Sequence, residues 1–282
     1  MVATSRREAA LTARFLSPAT PVLEDLFREL RAETDLAIGA NAPARYGHPY
    51  PYGYCREITF DVLTRLRTRV AKPRHPGERA IKAYLNCGGA GRRVWGALRE
   101  RFFQNALQMG GLYIDVSNDT VDVTKPKVEI LPMDSSGFEW VRDAAHFARI
   151  GERYWGATFY ANHAAPSLAP LFPILGVDSR GRVRLHSEGK HMVELFSDSG
   201  FRLSERWLND GPVPPQAVTD ALRARCSGAL LAANPTIGRE VALQACEDAR
   251  TQGRASDCDW RTTQISELLE MLKAPIPALA RG

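Results

Sequence analysis

The chain has 282 residues, of which 44% are hydrophobic, and its 37 basic and 32 acidic side chains give a net charge of +5. This apolar content can fill the core of one large domain or two small ones, which excludes a disordered or collagen-like chain. The chain has no run of roughly 18 consecutive apolar residues, which a bilayer-spanning helix needs, so we expect no membrane partner. Glu8 and Arg14 interrupt any apolar segment near the start. Without a secretory signal, a cytoplasmic location is expected.

The predicted elements begin after an irregular leader over residues 1–18. Helical spacing of apolar residues predicts helices over 21–36 and from Cys55 to about residue 70, where Pro73 and Pro76 end the second one. Composition and periodicity then predict, in chain order, a strand over 80–87, a helix over 92–109, strands over 112–116 and 127–131, a helix over 138–153, and strands over 157–161, 172–177, 182–186 and 192–196. A tight turn over 178–181 joins two of these strands, and the chain after Pro215 is predicted to be helical.

This order predicts an α/β or α+β fold, with a mixed β-sheet, crossover helices, N-terminal helices and a helical C-terminal extension. The expected boundaries are a main domain over 19–212 and a helical extension over 213–282 that packs on it. The five cysteines are an odd number and form no Cys-x-x-Cys pair, which favours free thiols over a zinc site or a disulfide framework. One disulfide among Cys226, Cys246 and Cys258 is the alternative.

Cys55 is the first candidate catalytic residue. It lies where the second helix is predicted to begin, and unpaired backbone N–H groups and the helix dipole lower the pKa of a thiol at such a position. A thiolate nucleophile also needs a histidine base and a group that orients the ring. His163 follows a predicted strand, and Asp178 ends the next one. The alternative is a small buried side chain, since Cys55 lies in line with Ile58 and Val62.

The segment from Gly53 to Glu57 and the order cysteine, histidine, acid resemble papain-like and transglutaminase-like thiol enzymes over about five residues. This resemblance implies that Cys55 is the nucleophile, His163 the general base and Asp178 its orienting group. The loop before the cysteine is rich in tyrosine and proline, and Tyr52 and Tyr54 are predicted to line the substrate pocket.

The second candidate is a strand that follows two glycines and ends in spaced carboxylates, Asp115 and Asp119. It resembles the corner of glycosyltransferases where acidic side chains hold a divalent cation against a nucleotide diphosphate. His186 and His191, with Glu188 and Glu194 nearby, offer another set of metal ligands, to which His146 or His163 would add. Without metal, these residues are a solvated strand face and the histidines that flank a hairpin.

A basic stretch over residues 65–101 holds eleven cations against two acids. Such a surface meets an anionic partner or is a solvated helix face. Within it, Gly88 to Gly91 precede Arg92 and Arg93, which are candidates to hold an anionic substrate.

The leading hypothesis is therefore a thiol-dependent enzyme, a transferase or hydrolase, that acts on a small-molecule or peptide substrate by acyl transfer or amide hydrolysis. One alternative is a divalent-metal-dependent transferase or oxygenase that uses Asp115 and Asp119 or the histidines. The other is a non-enzymatic binding protein with a basic face. The sequence identifies no cofactor, and nucleic acid is not an expected partner.

Overall fold

The computed structural model describes residues 5–45, 47–186 and 189–274. It combines helices with β-sheet, as the sequence predicts, and it divides the chain into two compact units, Met1–Trp140 and Val141–Gly282. Within the described residues, no helix has both the length and the apolar character needed to cross a bilayer. The five cysteines are all unpaired.

The first unit begins with helices and continues as a sheet. Its helices are α1 (Arg6–Leu11), α2 (Thr20–Ile38), α3 (Cys55–Ala71) and α4 (Pro76–Asn86), and its strands are β1 (Gly91–Leu98), β2 (Phe102–Met109), β3 (Leu112–Asp115), β4 (Glu129–Pro132) and β5 (Phe138–Glu139). Residues 5–18 of the expected irregular leader include α1, which begins with a capping box in which the side chains of Ser5 and Glu8 bind each other's backbone amides. Leu16, just beyond it, is fully buried.

The five strands form one antiparallel sheet in the order β4-β3-β2-β1-β5. One face packs against the helices through Leu107, Met109 and Ile114, and it forms the larger core of the unit. The other face carries a smaller cluster that includes Val94 and Tyr113. The strands β1 to β4 follow each other in the chain, and β5 returns to pair antiparallel with β1. No α-helix lies between any two of these strands over residues 91–139, so this sheet uses no crossover helix.

Two predictions in this unit are wrong. Residues 80–86 belong to α4, whose N-terminus is capped by the His75 side chain and whose C-cap is Cys87. Residues 92–109 form the hairpin of β1 and β2 instead of a helix. The hairpin turn is formed by Arg99 and Glu100, which both have φ of +54°, a conformation that usually takes Asn or Gly. The sequence therefore carries no recognisable signal for this turn.

The second unit alternates helices with a smaller sheet. Its elements are α5 (Ala144–Trp155), β6 (Thr158–Ala161), β7 (Ile174–Val177), β8 (Val183–His186), α6 (Lys190–Asp198), α7 (Arg202–Asp210), α8 (Gln216–Arg223), α9 (Gly228–Ala233), α10 (Arg239–Thr251) and α11 (Cys258–Lys273). The strands are antiparallel in the order β6-β7-β8. The strand predicted over 192–196 is wrong, because buried Met192, Val193 and Phe196 lie on one face of α6.

The helices after residue 212 belong to this second unit. The buried Arg225, which follows α8, donates hydrogen bonds to the carbonyl oxygens of Val183 in β8, at 2.8 Å, and of Met271 in α11, at 3.0 Å. A strand of the sheet and the last helix are therefore connected through one guanidinium group. The boundary expected at residue 212 falls inside this unit.

Candidate functional site

Cys55 is the first residue of α3, as predicted, and is half-buried. The Asn105 amide of β2 donates a hydrogen bond to its sulfur at 3.4 Å. Burial raises the pKa of the thiol, and this effect outweighs the hydrogen bonds from Asn105 that lower it. The direction is opposite to the one expected for a helix N-terminus. At neutral pH the side chain is therefore a thiol rather than a thiolate.

The two predicted partners of Cys55, His163 and Asp178, belong to the second unit. Asp178 holds the predicted hairpin turn, since its Oδ1 accepts hydrogen bonds from the backbone amides of Arg180 and Arg182, at 2.9 and 3.0 Å. Its Oδ2 accepts a further bond from the Arg182 guanidinium at 2.7 Å. Burial alone would raise the pKa of Asp178, but these bonds bring it below its ordinary value. The bonds make Asp178 a turn residue, and its role as orienting group for His163 stays a prediction.

The Asp119 carboxylate forms a bidentate ion pair with Arg31 of α2. The two oxygens lie 2.7 and 3.0 Å from the guanidinium nitrogens, and both side chains are buried. Arg31 also donates to Asp35 and to the carbonyl oxygen of Val116. The carboxylate thus has a cation from the protein itself as its partner.

Asp115 is fully buried and has donors at both carboxylate oxygens. The Gln104 amide and the Tyr113 hydroxyl donate to Oδ2, while the backbone amide and hydroxyl of Ser117 donate to Oδ1. Burial nevertheless raises the pKa of Asp115 to about 6, since the four hydrogen bonds offset the loss of water only in part. Both predicted metal-binding carboxylates are therefore engaged by protein groups.

Other metal ligands were predicted among the histidines. Within residues 5–45, 47–186 and 189–274, no three His, Cys, Asp or Glu side chains come together as a metal site. His186 packs against the Trp155 ring at 5.8 Å, and His191 donates from Nε2 to the Val141 carbonyl oxygen at 3.0 Å. Glu194 pairs with Lys190, and Glu188 lies outside the described residues.

The predicted substrate-binding residues lie in the first unit. Tyr54 is buried and donates a hydrogen bond to the Pro43 carbonyl oxygen at 2.6 Å, and the ring of Tyr52 lies 4.4 Å from that of His48. Exposed Arg92 donates to the Gln108 side chain at 2.9 Å. Arg93 lies over the ring of Phe60 at 5.9 Å. Of these four predicted residues, Arg92 and Arg93 are exposed, as contact with a substrate requires.

Part of the basic stretch is neutralised inside the first unit. Arg65 pairs with Glu33 and Asp61, and Arg69 pairs with acids on α2 and α4. The cations that join α2, α3 and α4 in this way cannot also face a partner. The basic face predicted from the sequence is therefore smaller than its composition suggests.

An open cleft of about 480 Å³ lies within the second unit, and we call it the His163 cleft. It is lined by His163, by the residues 237–240 at the start of α10, and by four residues before and within the first turn of α8, namely Val213, Pro214, Gln216 and Thr219. Gly238, the N-cap of α10, has φ of +124°, where glycine is favoured, and its amide donates to the His163 carbonyl oxygen at 3.0 Å. This bond fixes the start of α10 beside the histidine.

The His163 side chain is 95% buried and lines the cleft. Its Nε2 lies 2.8 Å from the Leu208 carbonyl oxygen, and because a carbonyl only accepts, Nε2 carries the hydrogen. Nδ1 is then an acceptor, and it has no partner among the described residues. Burial lowers the pKa of His163, the Leu208 bond counteracts this in part, and the positive charge of Arg239 lowers it further. The ring is therefore neutral at pH 7.

Neither helix that opens onto the cleft has a side-chain N-cap. The first amides of α8, at Gln216, and of α10, at Arg239, consequently lack intrahelical acceptors. The sequence predicted a role for His163 but not for the N-termini of these two helices. Their only signals are the turns that precede them, 211–215 and 234–238, which are rich in glycine and proline.

Comparison of the chain with protein-family models, with curated proteins and with solved structures finds no match. Any function must therefore be argued from the described residues themselves.

Proposed function

We propose that this protein binds a small anionic ligand in the His163 cleft. The observation that carries the proposal is the convergence of two uncapped helix N-termini on a cleft whose buried histidine has an unpartnered ring nitrogen. The amides at a helix N-terminus carry partial positive charge and point outward along the axis, which is why such ends bind carboxylates and phosphates.

The charged side chains of the cleft add to this field. Arg239 is exposed at the first position of α10 and offers a planar guanidinium group for bidentate contact with an oxyanion. Glu240 follows it and supplies the opposing negative charge. Since these two side chains cancel in formal charge, the helix dipoles determine the sign of the local potential, and that sign is positive.

The other walls of the cleft are apolar. Val213 and Ile237 are both partly exposed, and Pro214 is the third apolar residue that lines the cleft. A volume of about 480 Å³ is in the range of ordinary small-molecule sites. The ligand class that fits is a small organic carboxylate or phosphate ester with an apolar body. The sequence also predicts an anionic small molecule, but with Arg92 and Arg93 of the first unit as its binding residues.

Calorimetric titration of the full chain with butyrate, inorganic phosphate and sulfate tests the proposal. We expect saturable binding of at least one of these anions, and Arg239→Gln should weaken it roughly tenfold, the loss typical of a charged hydrogen bond. The matched control is Arg206→Gln, which removes an exposed arginine of α7 outside the cleft. Absence of saturable binding, or equal weakening by both substitutions, would overturn the proposal.

The thiol-dependent enzyme remains a separate proposal, which rests on the position of Cys55 at the start of α3 and on its contact with Asn105. Its raised pKa speaks against a preformed thiolate. The rate at which iodoacetamide alkylates Cys55 tests this proposal.

A further inference from the structure

We propose that anion binding in the His163 cleft is coupled to the uptake of one proton by Nδ1 of His163, so that the ligand is held more tightly as the pH falls. This inference rests on the proposed function, since it concerns how the same cleft responds to pH. The affinity of the cleft for its ligand then depends on the protonation state of His163.

The hydrogen bond of the imidazole defines where the proton goes. Nε2 already donates to the Leu208 carbonyl oxygen at 2.8 Å, so the only nitrogen that can gain a proton is Nδ1. In the neutral ring Nδ1 presents a lone pair, and an ionised oxyanion presents lone pairs as well. The two repel each other until Nδ1 is protonated, after which it donates a charge-assisted hydrogen bond. The proton comes from the solvent and returns to it when the ligand leaves.

The charges around His163 favour this exchange. From α10, Arg239 disfavours an imidazolium ion in the empty cleft, and the carboxylate-bearing Glu240 lines the same cleft. The residues of α8 that line the cleft, Gln216 and Thr219, are uncharged. The Arg223 guanidinium donates hydrogen bonds to the carbonyl oxygens of Asn234 and of Ala164, the residue that follows His163.

A bound anion changes this balance. It neutralises the charge of Arg239 and adds a negative charge beside the ring, and both effects raise the pKa of His163 from its lowered value. By linkage, an anion that raises this pKa is itself bound more tightly wherever the free protein is neutral and the complex is protonated. The affinity then rises up to about tenfold for each unit of pH decrease in that window.

Sulfate is the appropriate probe, because it does not ionise between pH 5.5 and 8. We expect its Kd, measured by calorimetry, to fall at least about fivefold from pH 8 to pH 6, within the tenfold per unit that linkage allows. Calorimetric titrations in two buffers of different ionisation enthalpy give the number of protons taken up per bound sulfate. We expect this number to approach one. The proton NMR signal of the His163 ring should titrate at higher pH when sulfate is saturating than when sulfate is absent.

A substitution provides a second test. His163→Asn places a neutral amide donor near the position of Nδ1, so its sulfate affinity should not depend on pH. If the wild-type protein binds sulfate with a pH-independent Kd, or if the NMR titration of His163 is unchanged by sulfate, the coupling is refuted while the anion site stands. If none of the three anions binds at any pH, the site itself is refuted. The NMR titration requires only wild-type protein, so an unstable variant does not weaken the test.

Discussion

The polar network around Asp115 in the first unit and the His163 cleft in the second both contain residues that the sequence singled out, yet they use their polar groups differently. In the first, both oxygens of Asp115 and of Asp119 accept hydrogen bonds from protein groups. In the second, a histidine whose Nδ1 has no partner among the described residues lines a cleft together with two helix ends that lack a side-chain cap. Residue type alone did not distinguish these cases. The two regions are distinguished by whether a polar group beside a cavity lacks a hydrogen-bond partner from the protein.

The difference has energetic consequences. A buried group whose partners come from the protein contributes to folding, and its removal leaves those partners without compensation. A group whose partner is a ligand contributes little to the fold and much to binding. Substitutions in the two regions should therefore change different measured quantities.

The largest effect is expected for Asp119→Ala. It removes the carboxylate that pairs with Arg31, a guanidinium with only 1% of its side chain exposed, and leaves a buried charge with Asp35 as its remaining acidic partner. We expect the free energy of unfolding to fall by about 3 kcal/mol or more, as for other broken buried pairs. Urea unfolding of the full chain, followed by circular dichroism, measures this loss.

Asp25→Ala is the control, because it removes a carboxylate of α2 that pairs with Arg28 at the surface. Such exposed pairs contribute at most about 1 kcal/mol. A similar small loss for both variants would show that Asp119 is not committed to the fold, and would restore it as a candidate ligand.

The next effect concerns pH. Because the pKa of Asp115 is about 6 in the folded protein and 3.8 in its ordinary state, the unfolded chain loses this proton first as the pH rises. The contribution of Asp115 to stability is therefore fully present below pH 4 and declines up to about pH 6, by about 3 kcal/mol in total. Asp115→Asn does not titrate and lacks this decline. Urea unfolding of both proteins at pH 4, 5, 6 and 7 gives the difference.

The outcome that would contradict this prediction is a constant stability difference between wild type and Asp115→Asn across these pH values. The exposed Asp25→Asn variant controls for the titration of all other groups. A decline restricted to the wild-type protein and Asp25→Asn would assign it to the buried carboxyl group.

How far the sequence predicts the fold depends on how local the determining interactions are. The helix beginning at Cys55 and the turn held by Asp178 follow from periodicity and turn chemistry, and both are confirmed. The hairpin of β1 and β2 was predicted as a helix for two reasons. Its turn uses Arg99 and Glu100 in a left-handed conformation, and β2 is buried on both faces, so its apolar residues do not alternate.

The candidate site depends on more distant interactions. His163 was predicted as a general base, but its surroundings in the cleft come from helix ends about 55 and 75 residues later in the chain, which no local pattern connects to it. The raised pKa of Cys55 has a similar origin. It arises from burial against β2, and periodicity in α3 alone does not report that contact.

A smaller effect is expected for the reactivity of Cys55. Since its sulfur is half-buried and its pKa is raised, iodoacetamide at pH 7.5 should label it several times more slowly than the exposed Cys87 and Cys258. Peptide mass spectrometry over a time course gives the individual rates. Selective and rapid labelling of Cys55 would contradict this prediction and would favour the thiol-dependent enzyme.

The smallest effect is expected for Arg239→Gln on stability. The side chain is exposed at the first position of α10, and the described residues provide no ion pair for it, so the free energy of unfolding should change by no more than about 0.5 kcal/mol. Loss of a positive charge near the positive end of a helix dipole is, if anything, slightly stabilising. Urea unfolding in buffer without phosphate or sulfate measures the change, because a bound anion would stabilise the wild-type protein selectively. When saturating sulfate is added, the wild type should gain more stability than the variant. If the free energy of unfolding falls by about 2 kcal/mol or more in the absence of anion, Arg239 contributes to the fold. It would then behave like the residues around Asp115, and the proposed difference between the two regions would be contradicted.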